Sequence, residues 1–321
     1  MSEQLNIVWP GWRVVRCIGK GSFGQVYEIN RDIFGRMERS ALKVIPLPSD
    51  GREVERLRAQ GYDWPSIAQY FRRCREDILR EYSLMAEVKG HPNIVYCDDF
   101  RDIPRPDGIG WDIHIKMELL ESLFQVMPSY YSEALTVQLG RGLARALALC
   151  EKKGILHRDI KPENIFYAQS GDFKLGDFGV AKLAGYTGFG TTIGTFDYMA
   201  PEVYGNRPYG SSADLYSLGL LLYWAMNNRR IPFLPKGSGI PAMEEKELAW
   251  KRRMDGEPIP LPAHGSPELT SIVMTACAHD PNDRYPSAAH MLQALQRIKA
   301  PAFVPSPESH FHRAPASLEN L

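Results

Sequence analysis

The sequence predicts an α+β chain of two lobes, a small antiparallel sheet with one long helix followed by a larger, mainly helical part. Three observations carry this expectation. Short β-favouring runs broken by Gly-rich or charged turns fill residues 12–45, apolar residues of helical period follow over 67–88, and helical runs dominate beyond about residue 120. With 321 residues, 44% of them hydrophobic, the chain has enough apolar material for one large domain or two lobes around a cleft.

In order, the runs VVRCIG, QVYEI and SALKVI read as three strands. A polar stretch over 46–64 precedes Ile67, Phe71, Cys74, Ile78, Met85 and Val88, which share one face of a helix expected from about residue 65 to about residue 90, where KGHPN breaks it. IVYCDDF and WDIHIKMEL read as two further strands about a turn at Pro106, Asp107 and Gly108. Past a boundary near Leu120, helices are expected over 133–153, 212–226, 244–254, 269–279 and 287–298, and the Pro- and Ser-rich segment 299–321 reads as a disordered tail. The expected domain is thus 12–298, with lobes 12–119 and 120–298. No internal repeat is visible.

Lys plus Arg and Asp plus Glu are equal at 38 each, so no global field draws the chain to nucleic acid or an anionic membrane. Any phosphate binding must be local. Five scattered cysteines without a CxxC pair argue against a disulfide framework or zinc site and read as reduced, cytoplasmic thiols. The start, MSEQLNIVWPG, lacks the layout of a secretory leader, and the longest apolar run, 218–226, is too short to span a bilayer, so no membrane segment is expected.

The loop Gly19-Lys20-Gly21-Ser22-Phe23-Gly24 lies between two expected strands and is followed by Val26, an arrangement that lets backbone N–H groups approach phosphate oxygens. Alone it is as well explained as a turn. Lys43, after Ala41 in an apolar strand, needs a partner unless it is an edge charge facing solvent. Far more specific is His157-Arg158-Asp159-Ile160-Lys161-Pro162-Glu163-Asn164, followed after a strand-like stretch by Asp177-Phe178-Gly179. Three acids, an amide and two bases between apolar segments would make a costly core.

Together these residues resemble the glycine loop, strand lysine, catalytic loop and magnesium loop of eukaryotic-like (Hanks-type) serine/threonine protein kinases, of the kind found in bacteria. The resemblance implies a bilobal protein-kinase fold, ATP and Mg²⁺ (or Mn²⁺) as cofactors, and protein substrates with Ser or Thr acceptors. By it, Asp159 accepts and orients the substrate hydroxyl, Asn164 and Asp177 are the metal ligands, and Lys161 steadies the γ-phosphate. Lys43 holds the α- and β-phosphates, clamped by Glu81, which is preferred to Glu76 and Glu87 by its offset from HPNIV. Met117 is the gatekeeper, Glu118 and Leu120 offer backbone groups to adenine, and Val26, Ala41 and Phe166 sandwich the purine.

The resemblance also makes Thr187, Thr191 and Thr192 candidate phosphosites in an activation segment, with Arg158 placed to pair with such a phosphate, although ordinary threonines in a flexible loop explain the same residues. Lys161 and Thr195 together indicate Ser/Thr specificity. Glu202 in Ala200-Pro201-Glu202 and Arg284 resemble a buried staple, and Asp214 resembles the carboxylate under the catalytic loop. The chain departs from the family between Lys43 and Glu81, where GREVERLRAQGYDWPSIAQYF prolongs the helix and adds a polar excursion. That extension is either a dimer or effector contact or a solvated insertion. Two other classes fit less well: a pseudokinase scaffold, which usually lacks one of the five key residues, and a small-molecule phosphotransferase, which lacks the APE segment and GTFDYM.

Overall fold

The computed structural model describes residues 7–21, 24–106, 108–128, 130–177, 197–235, 239 and 241–303, with Glu81 described by its backbone alone. These fall into two compact units, one of residues 7–90 with 95–120, the other of residues 91–94 with those from 121 onward.

The first unit is built on five strands, β1 (Arg13–Gly21), β2 (Gly24–Ile33), β3 (Arg36–Leu47), β4 (Cys97–Pro104) and β5 (Trp111–Met117). They pair antiparallel in the order β1-β2-β3-β5-β4. Strand alternation gives the sheet two apolar faces. On one, Ile45, Leu47, Ile113 and Ile115 pack with Ile67, Phe71, Cys74 and Ile78 of the long helix α2 (Trp64–Glu87). Those four recur at intervals of four, three and four residues, which is the stripe expected of a helix burying one side. Asp63 starts α2 by accepting from Ser66 N at 2.9 Å, with Pro65 in the first turn.

Two features differ from expectation. The polar stretch contains its own helix, α1 (Gly51–Ala59), capped by Asp50 through Glu53 N at 3.0 Å and separated from α2 by a turn at Gly61, whose φ of 91° favours glycine. Only Val54 and Leu57 of α1 pack on the core, too few to give a helical period in the sequence. Strand β4 also begins at Cys97 rather than Ile94, because Ile94 instead makes a parallel bridge to Leu175 in the second unit.

In the second unit β6 (Glu121–Ser122), β7 (Ile165–Tyr167) and β8 (Phe173–Leu175) form a small sheet beside α3 (Leu123–Val126) and α4 (Glu133–Lys152). Four helices follow a one-turn segment α5 (Pro201–Tyr204): α6 (Ser212–Met226), α7 (Met243–Met254), α8 (Pro267–Ala276) and α9 (Ala288–Arg297). Residues 213–226 of α6 are all buried, as a helix apolar on every side must be. A Cβ at Gly219 would lie 2.8 Å from Ala276 Cβ and 2.9 Å from Cys277 Sγ, so its hydrogen lets α8 cross α6 closely. Phe303 folds back on this unit, donating its N–H to Gln138 Oε1 at 2.8 Å and stacking near Phe173. All five cysteines are free thiols. Among the described residues no helix is long and apolar enough to cross a membrane.

Candidate active site

The second unit brings Asp159, Lys161 and Asn164 together. After α4 the chain enters an irregular loop whose backbone is held from below. Asp214, in the first turn of α6, accepts from His157 N at 2.7 Å and from Arg158 N at 2.9 Å. Arg158 takes a φ of 66°, uncommon for a long side chain, and the two bonds to Asp214 support that conformation. His157 is fully buried, with Nδ1 accepting from Asp159 N at 3.3 Å and Nε2 3.0 Å from Gly176 O. The proton therefore sits on Nε2, which donates to Gly176. Burial lowers the His157 pKa, though the Asp214 and Asp159 carboxylates pull the other way. A neutral imidazole thus links the catalytic run to the residue before Asp177.

Asp159 is 8% exposed. Its carboxylate Oδ2 accepts from Asn164 Nδ2 at 2.9 Å and lies 2.8 Å from Lys161 Nζ, while its carbonyl accepts from the same Asn164 amide at 2.7 Å. A turn at Pro162–Asn164 makes this compact, and Gly176 N donates to Asn164 O at 2.9 Å, tying the turn to the approach to Asp177. Both N–H donations by Asn164 fix its amide orientation and leave Oδ1 as the atom suited to a cation. Asp177, with φ of 49°, is half-buried. The arrangement offers hard oxygen donors and a buried, oriented carboxylate, a set that suits an oxygen-seeking divalent ion.

Lower in the same unit Arg284 uses every donor of its guanidinium. It bonds Glu202 at 2.7 and 2.9 Å, and the carbonyls of Ala278, Ser212 and His279 at 2.8, 3.0 and 3.0 Å. Tyr216 lies under it at 4.7 Å. Phe166 is on β7, opposite Ser122, and Arg158 has Tyr209 at 5.8 Å.

The first unit collects the remaining expected residues. Val26, Lys43 and Ile115 lie opposite one another across β2, β3 and β5, and Ala41 lies opposite Met117. Lys43 is 8% exposed in this row. Gly19, Lys20 and Gly21 pair with Val26, Gln25 and Gly24 to form the glycine hairpin. Gly24 is sterically required: its φ is 135°, and a Cβ there would strike the carbonyl of Val44. Glu118 N donates to Tyr96 O at 3.1 Å, so this N–H is already engaged within the unit. Leu120 ends this unit. Glu81 follows Ile78 by three residues in α2, and the rivals Glu76 and Glu87 are exposed. Ser22, Phe23, Phe178, Thr187, Thr191, Thr192, Thr195 and the side chain of Glu81 lie outside the described residues.

Sequence reasoning overlooked two residues. Asn93 donates to Phe173 O at 2.8 Å, holding β8, and was visible only as part of the KGHPN turn. Arg253 of α7 is 2% exposed and donates to Asp197 O, just before Ala200-Pro201-Glu202. A charge in a polar helix carries no signal of this.

Residues 12–295 match the protein kinase domain family. The chain belongs to that family. Its sheet unit and helical unit are the N-lobe and C-lobe of the protein kinase fold, and the Hanks-type resemblance is borne out. The chain is 28% identical over 317 residues to serine/threonine-protein kinase PknA of Mycobacterium tuberculosis, covering 96% of this chain and 66% of that protein. It is 30% identical over 301 residues to PknK of the same organism, covering 92% and 24%. Pkn1 of Myxococcus xanthus is 30% identical over 296 residues, covering 89% and 38%. The chain therefore spans just under two thirds of the first of these relatives, and far less of the others.

Proposed function

We propose that this kinase domain transfers the γ-phosphoryl group of ATP to serine and threonine hydroxyls of proteins, with Mg²⁺ held by Asn164 and Asp177. The observation that carries the reading is the locked Asp159, Lys161 and Asn164 constellation, supported by relatives that are all serine/threonine kinases. Phosphoryl transfer asks a protein chiefly for positioning and charge stabilisation. A bound Mg²⁺ neutralises phosphate charge and orients the transferable group.

The chain's own residues do the rest. Asp159, fixed by the Asn164 amide, accepts the hydrogen of the incoming hydroxyl and aims its oxygen. Lys161, 2.8 Å from Asp159, carries the positive charge that follows the transferring phosphoryl group. Lys43, buried in the sheet row, takes the α- and β-phosphates, with Glu81 orienting it. The glycine hairpin gives backbone N–H groups, and the Glu118 carbonyl and Leu120 N–H read adenine beside Val26, Ala41 and Met117. Transfer to Thr187, Thr191 or Thr192 of the same chain belongs to this reading, with Arg158 as the receiving charge.

The test incubates wild type and Asp159→Asn with labelled ATP, Mg²⁺ and a generic protein acceptor. Wild type is expected to label serine and threonine, and the variant to lose roughly 10²–10⁴-fold in rate, the scale of a positioned proton acceptor. No wild-type transfer would sink the reading in favour of a scaffold. Transfer to small metabolites alone would favour a small-molecule phosphotransferase. Peptide mapping after incubation with ATP alone reports on residues 187–192.

A further inference from the structure

The second face of the N-lobe sheet is covered by residues that precede β1. Ile29, Leu42 and Val44 pack there with Trp9 and Trp12, both buried. In the middle of this apolar surface sits a cation. Lys116 of β5 is 7% exposed, its ammonium 5.5 Å from the Trp9 ring and 4.9 Å from the Trp12 ring. Its charge is balanced by Asp98 at 2.7 Å, while Trp9 Nε1 donates to the next carboxylate, Asp99, at 2.6 Å.

Neighbouring residues in a strand normally face opposite sides of the sheet. Here the register slips between Cys97 and Asp99, opposite Met117 and Lys116. This bulge lets both Asp98 and Asp99 serve the same face, one for the lysine and one for the indole. Burial raises Asp99, but the Trp9 N–H, the Phe100 N–H and the nearby cations outweigh it and hold the carboxyl below its ordinary range. The cluster stands one residue from Met117, and the Ala41–Met117 pair is the last rung of the β3–β5 ladder before Glu118. Ladder ends open more readily than ladder centres. A strap of aromatic rings locked by one buried ammonium closes this end from outside.

We infer that Trp9 and Lys116 are positioning residues for the nucleotide, holding the last rung of the sheet in register so that Met117 and Glu118 meet adenine. The inference rests on the kinase reading for the identity of the ligand. Three variants test it: Lys116→Met, which keeps the stem and leaves Asp98 to solvent at 47% exposure, Trp9→Ala, and Trp9→Phe, which keeps a ring and loses the N–H. For each, KM for ATP, KM for acceptor, kcat, Tm and hydrogen exchange at the Glu118 amide are measured.

Lys116→Met and Trp9→Ala are expected to raise KM for ATP roughly tenfold, within the range by which residues remote from a ligand alter its affinity. KM for acceptor and kcat at saturating ATP stay near wild type, the Glu118 amide exchanges faster, and Trp9→Phe recovers part of the loss. An unchanged KM for ATP, with kcat and Tm falling together, would overturn the inference and leave the strap a purely stabilising cover. If Lys116→Met does not fold, Trp9→Phe decides by the same KM comparison. Equilibrium binding of Mg-ATP keeps the two readings apart. Should wild type bind nucleotide without transferring phosphate, the kinase reading fails, and equal affinity in wild type and variants would then defeat the strap as well.

Discussion

Asn164 does two jobs with one amide, and substitution can separate them. Its Nδ2 orients Asp159 through bonds of 2.7 and 2.9 Å, and its Oδ1 is the proposed metal donor. Asn164→Asp keeps an oxygen for Mg²⁺ but loses both donations and sets two carboxylates against each other; Asn164→Ala loses both functions. The expected outcome is a fall in kcat of about 10²-fold for each, the scale of an orienting partner, with the Mg²⁺ concentration for half-maximal rate rising only in the alanine variant. Steady-state rates over a Mg²⁺ series check this, and an equal metal dependence in both would refute it. The site was legible at this scale because Asp159, Lys161 and Asn164 are nearly contiguous and chemically uncommon together. Asn93 and Arg253 were not, since each donates to a distant backbone carbonyl, and a carbonyl leaves no mark in the sequence.

Elements are joined in the C-lobe by the Glu202–Arg284 pair, which links α5 to the turn at Pro281–Asp283. Both side chains are at most 3% exposed, so removing one partner strands a charge out of water. Arg284→Met is expected to cost about 3–5 kcal/mol, and the double change with Glu202→Gln less than the sum of the two, because they share one interaction. Thermal or denaturant unfolding of the three variants supplies the cycle; strict additivity would count against the staple. Gly219→Ala tests another junction, forcing a methyl against Ala276 and Cys277 where α6 crosses α8, at an expected cost of about 1–3 kcal/mol. The long helices were readable because burial on one face, or on every face in α6, writes itself into apolar spacing. Helix α1 was not, because two apolar contacts do not make a period and its start is held by local polar bonds, Asp50 accepting from Glu53 N and Glu53 accepting from Ser49.

Across the whole molecule, pH acts through histidines withdrawn from water in both units, His114 and His157 buried and His91 half-buried. His114 lies under the aromatic strap of the N-lobe, and His91 and His157 lie in the C-lobe unit. Burial lowers the pKa of all three below the ordinary 6.5. Above about pH 7.5, a unit beyond the ordinary histidine value, such a histidine is neutral folded or unfolded and has no effect. As pH falls below 6.5 the unfolded chain takes up protons that the folded chain refuses, so stability drains away toward the folded pKa. Asp214 works in the opposite sense: burial raises it above 3.8 against the pull of His157 and two backbone N–H groups, so acidification toward 3.8 returns stability there. His114 avoids that coupling, since the one carboxylate acting on it, Asp112, only weakens its depression. Wild type is therefore expected to lose Tm between about pH 7.5 and about pH 5.5, a window spanning the unperturbed histidine value. His114→Leu, which fills the site without a titrating group, should lose measurably less over the same interval. An identical loss in the two proteins would show that the histidine beneath the tryptophans titrates as it does in the unfolded chain.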